Sequence, residues 1–310
     1  MFLPAVPPQT PAMLVDNAIR PHAEMTAYET LWALDKVSLK TIADWFRASP
    51  VVPSKLLRIR MVENLFSGIP EKREQVEAFL RTVKTPFSVC VNGTFQYPKR
   101  LRAAKHPIEL FYYRGDIGLL DSQCISIVGS RDCSPEGLKR AAKLAKGLVA
   151  KGFTIVSGLA KGVDTAAMEA ALEAGGRTIG VIGTPIDQAY PKENQALQDK
   201  VAQRHLLVSQ VPFYRYATEP FTAHKIHFPQ RNETMAALSE ATVIVEASDT
   251  SGSLTQARAC VQQGRKLFIL NSCFERPGIT WPAKYERDGA IRVRDFEDIY
   301  RVVGEARTEV

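Results

Sequence analysis

The spacing of apolar residues divides the chain into two parts. Up to about residue 84, apolar side chains recur every three or four positions, which predicts amphipathic helices. The helical patterns cover residues 26–47, 58–66 and 75–83. Beyond residue 84, short apolar runs alternate with helical patterns. We therefore expect a small all-α N-terminal domain within residues 1–84 and a second domain over residues 85–310.

The apolar runs of the second part have the length of buried strands. They lie at Ile125–Val128, Thr154–Val156, Thr178–Ile182, Leu206–Val208, Val243–Val245 and Leu267–Leu270. The helical patterns between them are Glu136–Ala150, Val163–Glu173, Asn194–Gln203, Glu233–Leu238 and Leu254–Gln263. Such alternation predicts an α/β fold in which a Rossmann-like parallel sheet carries helices on both faces.

Composition narrows the class of protein. Hydrophobic residues make up 45% and charged residues 24% of the chain, which is typical of a globular protein. The opening MFLPAVPPQTPAM is proline-rich and unlike a signal peptide, so we expect a flexible leader on a cytoplasmic protein with no membrane span. The five cysteines form no CxxC pair, which favours buried thiols over disulfides or zinc.

The net charge of +7 is compatible with nucleic-acid binding but does not establish it. Part of it lies in YPKRLRAAKH, residues 97–106, where Lys99, Arg100, Arg102 and Lys105 have no acidic neighbour. Taken alone, this segment slightly favours the solvated face of a short helix over a nucleic-acid-binding site.

Four turns that contain glycine follow predicted strands. They are Gly129-Ser130-Arg131, residues 157–162 (SGLAKG), Gly183-Thr184 and Ser251-Gly252-Ser253. Turns after parallel strands gather at the carboxyl edge of the sheet, where backbone N–H groups and helix N-termini bind anions. The four turns therefore predict a phosphate-binding surface, to which Ser157 and Gly158 belong.

The usual nucleotide signatures are missing from these turns. Neither GxGxxG nor GxxxxGK[ST] occurs, which disfavours a NAD or FAD site and a P-loop ATPase. Arg131 can reach over the edge to pair with a phosphate, and Lys161 stands just before a helix. Ser253 opens a helix, where it serves equally well as a plain N-cap.

The segment FTAHKIHFPQRN, residues 221–232, combines Lys225, Phe228 and Arg231. Cations interleaved with aromatic rings suit single-stranded nucleic acid, since a ring stacks on an exposed base. The alternative is that Phe228 packs in the core. A metal at His224 and His227 is disfavoured, because no acidic or cysteine partner is near. No catalytic arrangement is legible, so we predict neither catalytic residues nor a cofactor.

Several motifs together resemble the DNA-processing protein A family, also called DprA or Smf. In chain order they are YPKRL, LFYYRGD, IVGSR, VSGLAKGVDTAA, IGTPIDQAYPKEN, FPQRN and SGSLTQA. The resemblance implies an extended Rossmann fold that binds single-stranded DNA, forms dimers and helps to load a RecA-type recombinase in transformation, without a known catalytic turnover.

The resemblance implies DNA-binding roles for Arg131, Lys161, Lys225, Phe228 and Arg231, which the turns and the segment at residues 221–232 also indicate. The full set of predicted DNA-binding residues is Gly129, Ser130, Arg131, Ser157, Gly158, Lys161, Lys225, Phe228, Arg231, Asn232, Gly252 and Ser253. Two departures from the family pattern concern charge, with Lys161 in place of arginine and Glu233 in place of a basic residue. The N-terminal part lacks a helix-hairpin-helix pattern, and we expect no C-terminal winged-helix domain before Val310.

Two other functions stay open. A nucleotide-binding sensor or a nucleoside-phosphate hydrolase-like protein could use the same scaffold. The hydrolases carry a glutamate in PGGxGTxxE, whereas Thr255 is followed here by Gln256, Ala257 and Arg258, which argues against hydrolysis. An adaptor with a vestigial pocket is the third possibility.

Overall fold

The computed structural model describes residues 19–63, 66–104 and 106–304. The predicted flexible leader and Lys105 lie outside these residues. Within the described ranges, no helix has both the length and the apolar character needed to cross a bilayer.

Within the described residues, four helices precede the sheet: α1 (Pro21–Trp32), α2 (Leu39–Ala48), α3 (Pro53–Val62) and α4 (Ile69–Leu80). The helical character is as predicted, but the pattern at residues 26–47 spans parts of two helices, and α3 and α4 begin five and six residues before the predicted starts at 58 and 75. Proline begins α1 and α3, where the first turn needs no N–H donor, and the Ser38 side chain caps α2 by accepting from the N–H of Thr41.

The N-terminal helices and the sheet share one hydrophobic core. A buried carboxylate, Glu29 of α1, accepts hydrogen bonds from the Tyr112 hydroxyl and from the backbone N–H groups of Phe213 (2.8 Å) and Tyr214 (3.0 Å). Burial raises the pKa of Glu29 to about 7, although these hydrogen bonds oppose the shift. The four helices are therefore fixed to the sheet by both apolar and polar contacts.

The sheet has nine described strands in the order β1-β2-β6-β5-β4-β3-β7-β8-β9. The strands are β1 (Ser88–Val91), β2 (Leu110–Gly115), β3 (Cys124–Val128), β4 (Thr154–Ser157), β5 (Thr178–Ile182), β6 (Leu206–Ser209), β7 (Ala241–Ile244), β8 (Lys266–Leu270) and β9 (Ile291–Val293). Pairing is parallel from β6 to β9, so the six predicted strands and the α/β fold are confirmed.

The purely parallel sheet was an incomplete prediction. Both β1 and β2 pair antiparallel to their neighbours, so the sheet is mixed. Neither strand belongs to the βα alternation on which the prediction rested. An edge of antiparallel strands on a parallel sheet is common in such folds.

The remaining helices include the crossovers that connect the strands. They are α5 (Lys99–Arg102), α6 (Pro135–Ala150), α7 (Val163–Glu173), α8 (Gln195–Arg204), α9 (Phe213–Thr218), α10 (His227–Leu238), α11 (Ser253–Gln262), α12 (Asn271–Phe274), α13 (Trp281–Arg287) and α14 (Phe296–Gly304). Helix α10 begins six residues before the predicted start at Glu233, because Pro229 falls in its first turn, where proline is tolerated.

The chain leaves β3 in one direction through β4, β5 and β6, and returns to pair β7 on the other side of β3. This arrangement makes a topological switch point between β3 and β7. In open α/β sheets, ligands bind outside the carboxyl ends of the strands at such a point.

Candidate nucleic-acid interface

A cleft of about 400 Å³ lies at the carboxyl ends of β3 and β7. Its walls come from the turns after β3, β4 and β7 and from α10. The lining residues are Val128, Gly129, Ser130, Arg131, Asp132, Ala160, Asp164, Phe228, Pro229, Arg231, Asn232, Met235, Ser248, Ser251, Gly252, Ser253, Thr255 and Gln256. Eight of the twelve predicted site residues therefore line one cleft, and the other four, Ser157, Gly158, Lys161 and Lys225, lie outside this lining.

Close packing explains three of the turn glycines. A Cβ at Gly129 would lie 2.5 Å from Val163 Cγ2, and one at Gly158 would overlap the Arg231 guanidinium. Gly162 has a φ of +77°, and a Cβ there would overlap the carbonyl oxygens of Ser130 and Arg131. These glycines let the turns and α7 approach one another, which is a structural role independent of any ligand.

Three backbone N–H groups of the first two turns donate to acceptors inside the protein. The N–H of Ser130 donates to the Glu246 carbonyl oxygen at 2.7 Å. In the second turn, the N–H groups of Gly158 and Ala160 donate to the Asp164 carboxylate at 3.1 and 3.4 Å. The predicted cradle of free N–H groups is therefore revised, because these donors already have acceptors.

Ser157 and Gly158 form the support of the cleft. The Ser157 side chain is fully buried and donates to the carbonyl oxygen of Ile127 at 2.8 Å. The Gly158 carbonyl oxygen accepts from Arg231. We therefore revise the expectation that these two residues contact a ligand directly.

Arg231 joins three parts of the site from within the protein. Its side chain is buried, and Nη1 donates to the carbonyl oxygens of Gly158 and Val181 at 2.6 Å each. Nε donates to Asn232 Oδ1 at 2.9 Å. Burial lowers the pKa of Arg231 to about 10, while Asp164 opposes the shift. The geometry gives Arg231 a positioning role rather than an exposed phosphate contact.

Asp164 is the buried acid of the second turn. Burial raises the pKa of its carboxyl group, and the charges of Arg231 and Arg131 together with the backbone donors oppose that shift. These interactions organise the turn around the carboxylate. They give Asp164 a structural role at the start of α7.

Arg131 is the exposed cation of the cleft. Its guanidinium carbon lies 5.7 Å from the centroid of the Phe228 ring, a cation–π distance. The ring of Phe228 also contacts Gly183, where a Cβ would lie 2.7 Å from Phe228 Cδ1. The third turn, Gly183-Thr184, thus contributes by packing against this half-buried ring beside the arginine.

The two predicted lysines stand outside the cleft lining. Lys161 Nζ lies 2.8 Å from Glu193 Oε1, and both side chains are exposed. This pairing raises the pKa of Lys161 and lowers that of Glu193. Lys225 is exposed in a 3-10 segment, Phe221–Ile226, that leads into α10.

Glu233 points away from the cleft. Its Oε2 lies 3.2 Å from Nδ1 of His106, and its backbone carbonyl accepts from Gln263. The acid that replaces a basic residue in the family pattern therefore has a partner outside the cleft lining.

The turn after β7 is the most open part of the site. Gly252 has an ordinary φ of −58°, and nothing lies within 4 Å of a Cβ placed there. Asn232 Nδ2 donates to its carbonyl oxygen at 3.4 Å. Ser253 is the first residue of α11, and its N–H donates to Ser251 Oγ, so the N-cap interpretation of its hydroxyl does not hold.

Sequence reasoning missed Glu246, which follows β7. Its carboxylate accepts from the N–H of Ser134 at 2.9 Å and from Ser134 Oγ at 2.6 Å, and it pairs with Arg140 and Arg276. Although burial alone would raise the pKa of Glu246, these hydrogen bonds and charges lower it. An acid directly after an apolar strand was the available signal, but its partners are far away in sequence.

The basic segment at residues 97–106 lies at the opposite edge of the sheet. Arg100 Nη2 lies 2.6 Å from Glu240 Oε1, just before β7 begins. Arg102 donates to Asn92 and lies 5.5 Å from the Tyr97 ring centroid. These contacts favour the interpretation as a helix face. Among the residues that the structure describes, no His, Cys, Asp or Glu group is arranged to hold a metal ion.

Comparison with known proteins identifies relatives of this chain. A match to DNA recombination-mediator protein A covers residues 88–304. The chain belongs to that family. It is 41% identical over 174 residues to DNA processing protein DprA of Streptococcus pneumoniae, a match that covers 56% of this chain and only 59% of the relative's length. The Bacillus subtilis DprA protein is 36% identical over 69% of this chain and 70% of its own.

Solved structures agree with the family assignment. The X-ray structure of DNA processing protein A from S. pneumoniae superposes with a TM-score of 0.67 at 29% identity, covering 90% of this chain and 95% of the other. DNA processing protein A from Helicobacter pylori, described with a single-stranded DNA binding mode, gives 0.60 at 28% identity over 71% and 96%. The sequence-based assignment to this family is confirmed.

Proposed function

We propose that this chain is a single-stranded DNA-binding recombination mediator without catalytic turnover. The observation that carries the proposal is the pairing of exposed Arg131 with the Phe228 ring at a cleft on the topological switch point. A guanidinium binds phosphate bidentately, and an aromatic ring stacks on a base. The description of the H. pylori protein supports the same ligand.

The ligand of this site is an unpaired strand rather than a duplex. A ring beside a cation is useful only where a base is free to leave its stack, and such stacking tolerates any sequence. We assign the direct contacts to Ser130, Arg131, Phe228, Asn232, Gly252 and Ser253, with Lys161 and Lys225 along the approach. The buried Ser157, Gly158 and Arg231, with Gly129, hold these residues in place.

Family membership supports further parts of the proposal. We infer a cytoplasmic homodimer that assists the loading of a RecA-type recombinase. Residues 1–84 and 85–310 are proposed as separate domains by sequence pattern, with the four N-terminal helices fixed to the sheet through Glu29. This attachment gives the helices a supporting role for the sheet edge.

Fluorescence anisotropy with labelled single-stranded and duplex oligonucleotides tests the ligand. Arg131→Ala should weaken single-strand binding about 10- to 100-fold, since a charged hydrogen-bonded contact contributes about 1.5–3 kcal/mol. The slope of log affinity against log salt should fall by about 0.7 for the lost phosphate contact. Binding to different sequences should weaken alike.

Arg73→Ala is a matched control, because Arg73 is an exposed arginine of α4 that pairs with Glu77. This variant should keep both the affinity and the salt slope. Normal single-strand binding by Arg131→Ala, or equal loss in Arg73→Ala, would refute the assigned site.

A small nucleotide is the second candidate ligand, favoured by the size of the cleft. A volume of about 400 Å³ falls within the range of small-molecule sites. Competition of nucleoside monophosphates against the bound oligonucleotide measures this, and chromatography detects any released base. Base release would contradict the proposal of a protein without turnover.

A further inference from the structure

Aromatic side chains continue from the cleft across the neighbouring surface. Phe228 lies against Tyr190, with ring centroids 5.4 Å apart and an interplanar angle of 52°. Tyr190 follows the turn after β5 and is 49% exposed. One ring at the cleft wall is therefore followed by a second ring that is open to solvent.

A second group of rings stands on the segment before α10. His224 stacks on Tyr216 with centroids 3.7 Å apart and planes 15° from parallel, and its Nε2 lies 2.9 Å from the Tyr216 carbonyl oxygen. Phe221 contacts His224 edge to face at 5.5 Å. The stacked rings of Tyr216 and His224 thus support the ring of Phe221, which is 79% exposed.

The two groups are neighbours. The Tyr216 ring lies 5.5 Å from the ring of His227, centroid to centroid, and His227 directly precedes Phe228 in α10. We call Tyr190, Tyr216, His224 and Phe221 the aromatic ridge. It begins beside Phe228 and ends at Phe221.

The exposed rings of the aromatic ridge indicate a contact surface, because large apolar side chains grouped in solvent usually mark one. Ile226 in the same segment is also 51% exposed. Cations accompany the rings: Lys225 lies within the segment, and the Arg131 guanidinium lies 5.7 Å from the Phe228 ring at which the ridge begins. A polyanion with flat apolar groups matches this combination.

We propose that a single DNA strand leaving the cleft continues along the aromatic ridge, with bases stacked on Tyr190 and Phe221. This inference rests on the proposed function and extends its site from the cleft to several nucleotides. The continuity of the ridge with Phe228 and its flanking cations favours a nucleic-acid strand over a protein surface.

Titration with oligo(dT) of increasing length, from about 4 to about 16 nucleotides, tests the extension, since single-strand sites fall in this range. Phe221→Ala should leave the shortest oligonucleotide unaffected and weaken the longest about 5- to 140-fold, equivalent to about 1–3 kcal/mol for one stacked base. Tyr190→Ala should act at a shorter length than Phe221→Ala, and Tyr190→Phe should bind normally.

Abasic substitutions in the longest oligonucleotide locate the stacked base. One abasic position should weaken binding to the wild-type chain by the same factor as Phe221→Ala, and should cause no further loss in that variant. Phe95→Ala is the matched control, because Phe95 is fully exposed and lies in the β1–α5 connection. This control should bind every length normally.

The results separate this inference from the proposed function. If Arg131→Ala weakens the shortest oligonucleotide while Phe221→Ala binds every length normally, the cleft stands and the ridge is refuted, leaving protein docking as the use of Phe221. A loss in Phe221→Ala that is equal at all lengths also refutes the ridge. If the wild-type chain binds no single strand, both proposals fail together.

Discussion

Gly129 and Gly252 both lie in turns after parallel strands, yet their surroundings differ. A Cβ at Gly129 would lie 2.5 Å from Val163 Cγ2 and 2.9 Å from the Glu246 carbonyl oxygen. At Gly252 the same atom would meet nothing within 4 Å, and the φ of −58° suits any residue. Replacing each glycine by alanine therefore separates a packing role from a ligand role.

The two substitutions should have opposite consequences. Gly129→Ala forces atoms into a packed site, which costs about 1–3 kcal/mol in the free energy of unfolding. Gly252→Ala should change that free energy by at most about 0.5 kcal/mol. Its methyl group would instead occupy the cleft, and we expect single-strand affinity to fall about tenfold, equivalent to about 1.4 kcal/mol.

Urea unfolding followed by circular dichroism measures the first quantity, and fluorescence anisotropy measures the second. The wild-type protein is the reference in both assays. Gly264→Ala cannot serve as a control for a harmless glycine substitution, because Gly264 has a φ of +65°. A stable Gly129→Ala protein would refute the packing argument. Unchanged DNA affinity in Gly252→Ala would refute the proposal that the turn after β7 contacts DNA.

Three further predictions concern the buried charged groups. Arg231→Ala should lower the free energy of unfolding by about 2–6 kcal/mol, because it leaves the buried carbonyl oxygens of Gly158 and Val181 without their donor, at about 1–3 kcal/mol each. Urea unfolding measures this free energy, and a loss below about 1 kcal/mol would contradict the prediction. Glu246→Gln should lower the free energy of unfolding by about 1–3 kcal/mol, because it weakens the hydrogen bonds from Ser134. Urea unfolding measures this free energy, and faster proteolysis near residue 134 is a second measurement. Unchanged stability and cleavage would contradict the role of Glu246 in holding this turn. The raised pKa of Glu29 means that the folded chain holds its proton more tightly than the unfolded chain, so its contribution to stability is full below pH ~4.5 and is lost as the pH rises through about 7. The free energy of unfolding should decline by up to about 3 kcal/mol between pH 5 and pH 8 in the wild-type protein but not in Glu29→Gln. An equal decline in both proteins would disprove the raised pKa of Glu29.

The sequence alone was sufficient for six of the seven described parallel strands, for the five predicted helices between them and for the family. Periodicity identifies these elements because the backbone repeat of a helix or strand fixes which side chains face the core. Parallel order then brings the turns at Arg131 and Gly252 to one edge without further information. The interleaved basic and aromatic residues of the segment 221–232 predicted a ligand-binding role for Phe228, and the structure places its ring beside Arg131.

The tertiary structure decided which residues of that edge are available to a ligand. The sequence analysis treated Gly158, Arg231 and Arg131 alike, but the first two bind each other inside the protein, and of the three only Arg131 is exposed. The partners of a backbone donor or a buried charge come from chain segments distant in sequence, as Glu246 does for the turn at Ser130. Local pattern determines the elements, whereas hydrogen-bond partners, close approach and exposure depend on how those elements pack.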